Sequence, residues 1–124
     1  MHLVQEPPDF DFFLRGADGA SALVNDRRLT RSFIIAPSQL VEDWPVDDVN
    51  RLDAASMAAL LALQPEVVIL GTGAAQGFPP AEAMAACLKL GIGIESMTNA
   101  AAARTFNVLA GEGRRVVAGF LLPG

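Results

Sequence analysis

The run Glu66-Val67-Val68-Ile69-Leu70, stopped by Gly71-Thr72-Gly73, constrains this chain more than any other stretch. A segment this short, apolar and β-branched has no polar face to turn toward water, so it reads as a strand covered on both sides. Such a strand needs helices above and below its sheet, and the flanking sequence supplies them. Upstream, Asp53 is a plausible N-cap for a helix whose stripe is Met57, Leu60, Leu61 and Gln64, stopped by Pro65. Downstream, Pro79-Pro80 opens a second helix with Met84, Cys87 and Leu88 as its inner face, closed by Gly91. Ile92 to Ile94 is the next strand. Thr98 or Asn99 caps a third helix, in which Ala102, Phe106 and Leu109 face inward and Gly111 and Gly113 end the element. Val116 to Leu122 is the final strand, ending at Pro123.

The N-terminal part has a different rhythm. Phe10 to Arg15 is aromatic and β-prone, Asp18-Gly19 is a turn pair, and Ala22 to Val24 continues after it. Asn25-Asp26 makes a second turn. Leu29 to Ala36 is read as one strand, ended by Pro37 because proline has no N–H for a ladder. Trp44 is expected to plug the edge of the core. The fold class that follows is three-layer α/β: an N-terminal β-meander, then α-β-α-β-α-β around a central mixed, mainly parallel sheet.

With 124 residues the chain is read as one domain over residues 1–124. Hydrophobic residues make up 52% against 19% charged, which drives collapse rather than disorder. A net charge of −5 argues against nucleic acid, and the basic pairs Arg27-Arg28 and Arg114-Arg115 fall where turns are expected. One cysteine and one histidine (His2) leave no disulfide, no His/Cys metal site and no histidine-based triad. The N-terminus lacks the basic and apolar regions of a secretory signal, and no apolar run is long enough to cross a bilayer. The expectation is a cytoplasmic protein with no cofactor, no nucleic-acid partner and no membrane insertion.

Two groups of residues carry what chemistry there is. The first is Gly71-Thr72-Gly73-Ala74-Ala75-Gln76-Gly77, a glycine-broken loop between a buried strand and a helix, whose backbone N–H groups can face an anion. Glu95 ends the next strand, where a dinucleotide fold keeps its ribose-binding acid. The glycine spacing, however, is one residue longer than that fingerprint, and the second half of a doubly wound domain is missing. The second group is Glu95, Thr98, Asn99, Arg104, Asn107, Glu112 and Arg114. Arg104 and Asn107 share a helix face. Two readings of it stay open. In one, Glu112 and Arg114 form a clasp that fastens the last helix to the last strand. In the other, Gly71, Thr72, Gly73, Gln76, Glu95, Thr98, Arg104 and Asn107 surround a small anion. Cys87, at helical spacing from Met84 and Leu88, reads as a buried apolar residue rather than a nucleophile, and Glu82 suits the first turn of a helix.

Pro65-Glu66 through Gly71-Thr72-Gly73 resembles the P-E-x-x-x-x-G-T-G strand and loop of the Mth-type domain family. That family includes the mitochondrial complex I assembly factor and the adipogenesis-associated Mth-domain protein. Gly93-Ile94-Glu95-Ser96-Met97-Thr98, Arg104-Thr105-Phe106-Asn107 and Glu112-Gly113-Arg114 are similar to its second signature, and Ser32 to Pro37 followed by Trp44 looks like its third strand and loop. Where the family often has an aspartate after the methionine, this chain has Thr98-Asn99. The resemblance implies a three-layer α/β fold with a mixed sheet and a bacterial, cytoplasmic member, but it brings no reaction. The expectation is therefore a non-enzymatic protein-interaction or assembly-assisting factor, with Phe78-Pro79-Pro80 and Trp44 as docking elements. The alternative is a binder of a small anionic ligand, or an enzyme, using the Gly71–Gly73 loop. A protein partner and a small anion are thus the two candidate partners.

Overall fold

A computed structural model describes residues 10–123. The readings on the first nine residues, His2 and the missing signal segment among them, lie outside that range. Strands β1 (Leu14–Ala17), β2 (Ala22–Val24) and β3 (Arg27–Leu29) form a three-stranded antiparallel sheet. The chain continues through β4 (Arg31–Ala36), β5 (Gln39–Val41), α1 (Ala54–Leu61), β6 (Val67–Gly71), α2 (Ala81–Leu88), β7 (Gly93–Met97), α3 (Asn99–Gly111) and β8 (Val116–Pro123). The second sheet has the order β5-β4-β8-β6-β7. It is mixed: β6 runs parallel to β7 and β8, while β4 runs antiparallel to β5 and β8.

The apolar run Val67 to Leu70 does what its composition demands. Ile69 packs into a core shared with α3 and the small sheet, while Val68 and Leu70 enter a second core under α1 and α2. All three are fully buried, each burial being worth about 1.5–3 kcal/mol. Central β8 divides its side chains the same way: Val116, Ala118, Phe120 and Leu122 on one side, Val117 and Leu121 on the other. Phe33 of β4 stacks on Phe120 across the strand pair, with ring centroids 5.0 Å apart.

Asp53 caps α1 by accepting the Ser56 N–H at 2.8 Å, and Thr98 rather than Asn99 caps α3. Trp44 is buried, and its Nε1–H donates to the Ser56 carbonyl at 3.2 Å. Several boundaries differ from expectation. Leu29 to Ala36 is two strands broken at Thr30, because Leu29 pairs with Ala22 whereas Arg31 pairs with Pro123 in the other sheet. Alternation shows which side chains point inward but not which sheet they belong to. Residues 10–13 precede β1; Phe10 meets Phe106 edge-on at 6.4 Å, and the Asp11 and Phe12 N–H groups donate to Pro37 O. Pro37 ends β4 as expected, yet the chain turns directly into β5. Arg27 and Arg28 lie within β3 rather than in a turn. Gln64 lies beyond α1 with a left-handed φ of 57°, so it is not part of the helical stripe. Leu88 is 59% exposed, not inward, since one step past Cys87 turns it off the buried face.

Candidate functional site

The Gly71–Gly77 loop leaves the end of β6 and folds back on itself. Thr72 N–H donates to Met97 O at 2.9 Å, Gly73 N–H to Asn99 Oδ1 at 3.1 Å, and Gly77 N–H to Thr72 Oγ1 at 2.8 Å. The Thr72 hydroxyl faces Ala75 O at 2.8 Å and Met97 O at 3.2 Å. Gln76 Nε2 donates to Ser96 O at 3.0 Å, and Thr98 Oγ1 accepts the Ala101 N–H. The structure thus brings Gly71, Thr72, Gly73, Gln76 and Thr98 together, but three of the amide hydrogens in the loop are already given to protein acceptors.

The residue that organises this loop is Asn99, which the sequence offers as an alternative helix cap and as a member of the second polar group, but not among the residues expected around an anion. It is fully buried. Its Oδ1 receives Gly73 N–H, its Nδ2 donates to Asp18 O at 2.9 Å and Leu121 O at 3.0 Å, and its backbone N–H donates to Gly73 O at 2.8 Å. One amide therefore ties the first turn of the meander, the end of β8 and the glycine loop together. A Cβ at Gly71 would run into Asn99 Oδ1 and come within 2.9 Å of the Phe120 ring, so only glycine admits this approach.

The other expected site residues are spread out. Asn107 is engaged with β1: its Oδ1 accepts Leu14 N–H at 2.9 Å and its Nδ2 donates to Leu14 O at 2.6 Å, as a neighbouring strand would. Arg104, three residues earlier on that flank of α3, is exposed and forms no ion pair with the described residues. Arg114 faces Glu66 at 3.6 Å, not Glu112, which is exposed at the end of α3. Glu66 also accepts Arg115 N–H at 2.8 Å on its carboxylate and donates its own N–H to Arg115 O. The clasp partner is thus far away in sequence, which is why local spacing pointed to Glu112.

Three carboxylates are held below their ordinary range: Glu66 by the Arg115 N–H and then the Arg114 and Arg115 charges, Asp18 by the Ala20 and Ser21 N–H groups, and Asp53 by the N–H and hydroxyl of Ser56. Groups lowered on folding contribute stability above the ordinary carboxylate range and lose it as pH falls through their folded values. The urea midpoint is therefore expected to drop between about pH 6 and pH 3, with a shallower drop in Asp53→Asn. A midpoint that does not change over that interval would contradict the assignment. Burial pushes the Cys87 thiol up, which suits an inert core residue.

The second feature is the open edge of the five-stranded sheet. β7 pairs with β6 on one side and with no described strand on the other. Beside it, between the loop and α2, lies a groove of about 300 Å³ lined by Gln76, Phe78, Pro79, Met84, Ile94 and Met97, with Glu95 and Ser96 completing the wall. Phe78 stands at its mouth with 74% of its surface exposed. Leu88, four residues after Met84, extends the apolar strip along that flank of α2. Among the described residues, no group of three or more acidic, histidine or cysteine side chains could hold a metal, and no helix is long and apolar enough to cross a membrane.

Comparison with known proteins bears on the whole domain. A Xanthomonas campestris protein solved by NMR is 55% identical, with a TM-score of 0.85 over 100% of this chain and 94% of that one. A Bordetella pertussis protein described as a Mth938-like domain is 31% identical, with a TM-score of 0.82 over 100% of this chain and 94% of that one. A Francisella tularensis protein named 13 kDa major membrane protein is 27% identical over 114 residues, which is 91% of this chain and 89% of the relative. The model of the family described as "Protein of unknown function (DUF498/DUF598)" matches residues 15–121, and the chain belongs to that family.

Proposed function

We propose that this protein is a non-enzymatic interaction module that docks a partner protein on the β7 edge and its adjoining groove, in the manner of an assembly-assisting factor. The observation that carries this reading is Phe78, exposed at the mouth of an apolar groove that borders β7, whose outer side pairs with no described strand. A solitary exposed apolar residue is ordinary, but one continuous with Met84, Leu88 and an open sheet edge is the form a docking surface takes. Of the two docking elements expected, Phe78 suits the role, whereas Trp44 is buried in the core. The resemblance to a family containing a complex I assembly factor agrees with this reading, and we place the activity in the cytoplasm. The alternative, a small anion at the Gly71–Gly73 loop, has less to draw on because the Thr72, Gly73 and Gly77 N–H groups are engaged.

A photo-reactive benzoyl-phenylalanine at position 78, irradiated in cells, tests the proposal, with the same probe at position 28 in the small sheet as control. The expected result is a discrete adduct at 78 alone, whose cross-linked peptide mass spectrometry assigns to one partner. A smear, or the same products from both positions, would refute it.

A further inference from the structure

We infer that the occupant of this edge is an extended segment of a partner protein, alternating basic and apolar residues, which adds to β7 as a sixth strand and displaces the Gln76 side chain. The inference rests on the docking reading above and adds its chemistry.

Strand β7 turns its main-chain groups alternately toward β6 and outward. Met97 O points to β6, where it receives Thr72 N–H, and Ser96 O points outward, where it receives Gln76 Nε2 at 3.0 Å. By the same alternation the outward groups of the strand are the N–H and C=O of Ile94 and Ser96. Gln76 gives one of these four a donor, at the place where the N–H of an added strand would sit. It is an exposed side chain on a loop, so releasing it leaves no buried group unpaired. Unpaired edges invite pairing, and a side chain that occupies one is a cover a matching strand can replace.

Side-chain direction determines the partner's pattern. Ile94 belongs to the core under α2, and Met97 packs with the opposite core, so Ile94 and Ser96 face α2 while Glu95 and Met97 face α3. Residues of an added strand would alternate likewise. Those on the α2 side meet Phe78, Met84 and Ile94, which line the groove together with the edge of β7 itself. Those on the other side meet Glu95, the one charged residue of β7, which is exposed and in no ion pair with the described residues. An apolar residue suits the first position and a lysine or arginine the second. A second copy of this chain fits poorly: antiparallel β7–β7 pairing centred on Glu95 sets two carboxylates opposite each other, between proteins of net charge −5.

The probe is a synthetic octapeptide of four Lys-Val repeats, titrated into 15N-labelled full-length protein, with a Glu-Val octapeptide as counterpart. The Lys-Val peptide is expected to shift the Ile94 and Ser96 amide signals and to bind roughly fivefold or more tightly than Glu-Val, with Glu95→Lys inverting that preference. Gln76→Ala is expected to bind Lys-Val more tightly and to keep the parent protein's molar mass by light scattering. Shifts that avoid β7, or a preference that survives Glu95→Lys, would overturn the inference. Dimerisation of Gln76→Ala without peptide would also overturn it, in favour of a second copy. A position-78 adduct without peptide binding at β7 would leave docking standing while strand addition falls; no adduct would remove the docking reading itself.

Discussion

Replacing Asn99 by leucine, which has nearly the same volume, is expected to lower the unfolding free energy by about 3–5 kcal/mol in urea. The substitution adds apolar surface at a fully buried position, so hydrophobicity alone would predict little harm. What it removes is the partner of Gly73 N–H, Asp18 O and Leu121 O, three groups from three separate segments of the chain. Each buried group left without a partner costs about 1–3 kcal/mol, which sets the scale. Amide exchange at Gly73 should accelerate beyond the global change, because its acceptor is gone. A loss under about 1 kcal/mol would mean that water or backbone movement replaces the amide, and that Asn99 is not the tie described above.

Gly119→Ala is expected to cost about 1–3 kcal/mol and to shift the fluorescence of the single tryptophan to longer wavelength. A Cβ at this position would lie 2.7 and 2.9 Å from ring carbons of Trp44 and 3.3 Å from Leu60. The backbone cannot recede, because β8 is paired to Ile34 on one side and Leu70 on the other. Trp44 must therefore move, and with it goes the Nε1–H bond to Ser56 O. Gly16→Ala, with nothing within 4 Å of the added methyl, is the matched control and should be close to neutral. Equal stability and an unchanged emission maximum in Gly119→Ala would show that the indole is not seated against β8.

How far the residues themselves disclosed all this depends on the range of the physics involved. The run Val67 to Leu70, the cap at Asp53 and the closing glycines Gly91 and Gly113 were legible because each acts within a turn or two of chain. The division of Leu29 to Ala36 between two sheets was not, since both halves show the same alternation and only their distant partners differ. The same holds for the polar residues. Arg104 and Asn107 are helix neighbours, but Asn107 is committed to Leu14, 93 positions away. Arg114 had a carboxylate two residues off, yet the strand pairing brought Glu66 to it.

The sequence by itself determined that the chain would build a covered sheet from short apolar strands and amphipathic helices, because apolar periodicity and caps are local properties. Only the tertiary structure decided that the glycine loop is closed around Asn99, while the outer side of β7 pairs with no described strand and Phe78 and Leu88 of α2 are exposed. Those outcomes depend on which strand ends at the edge of the sheet and which distant carbonyls come within reach of one amide, and neither is encoded in spacing along the chain.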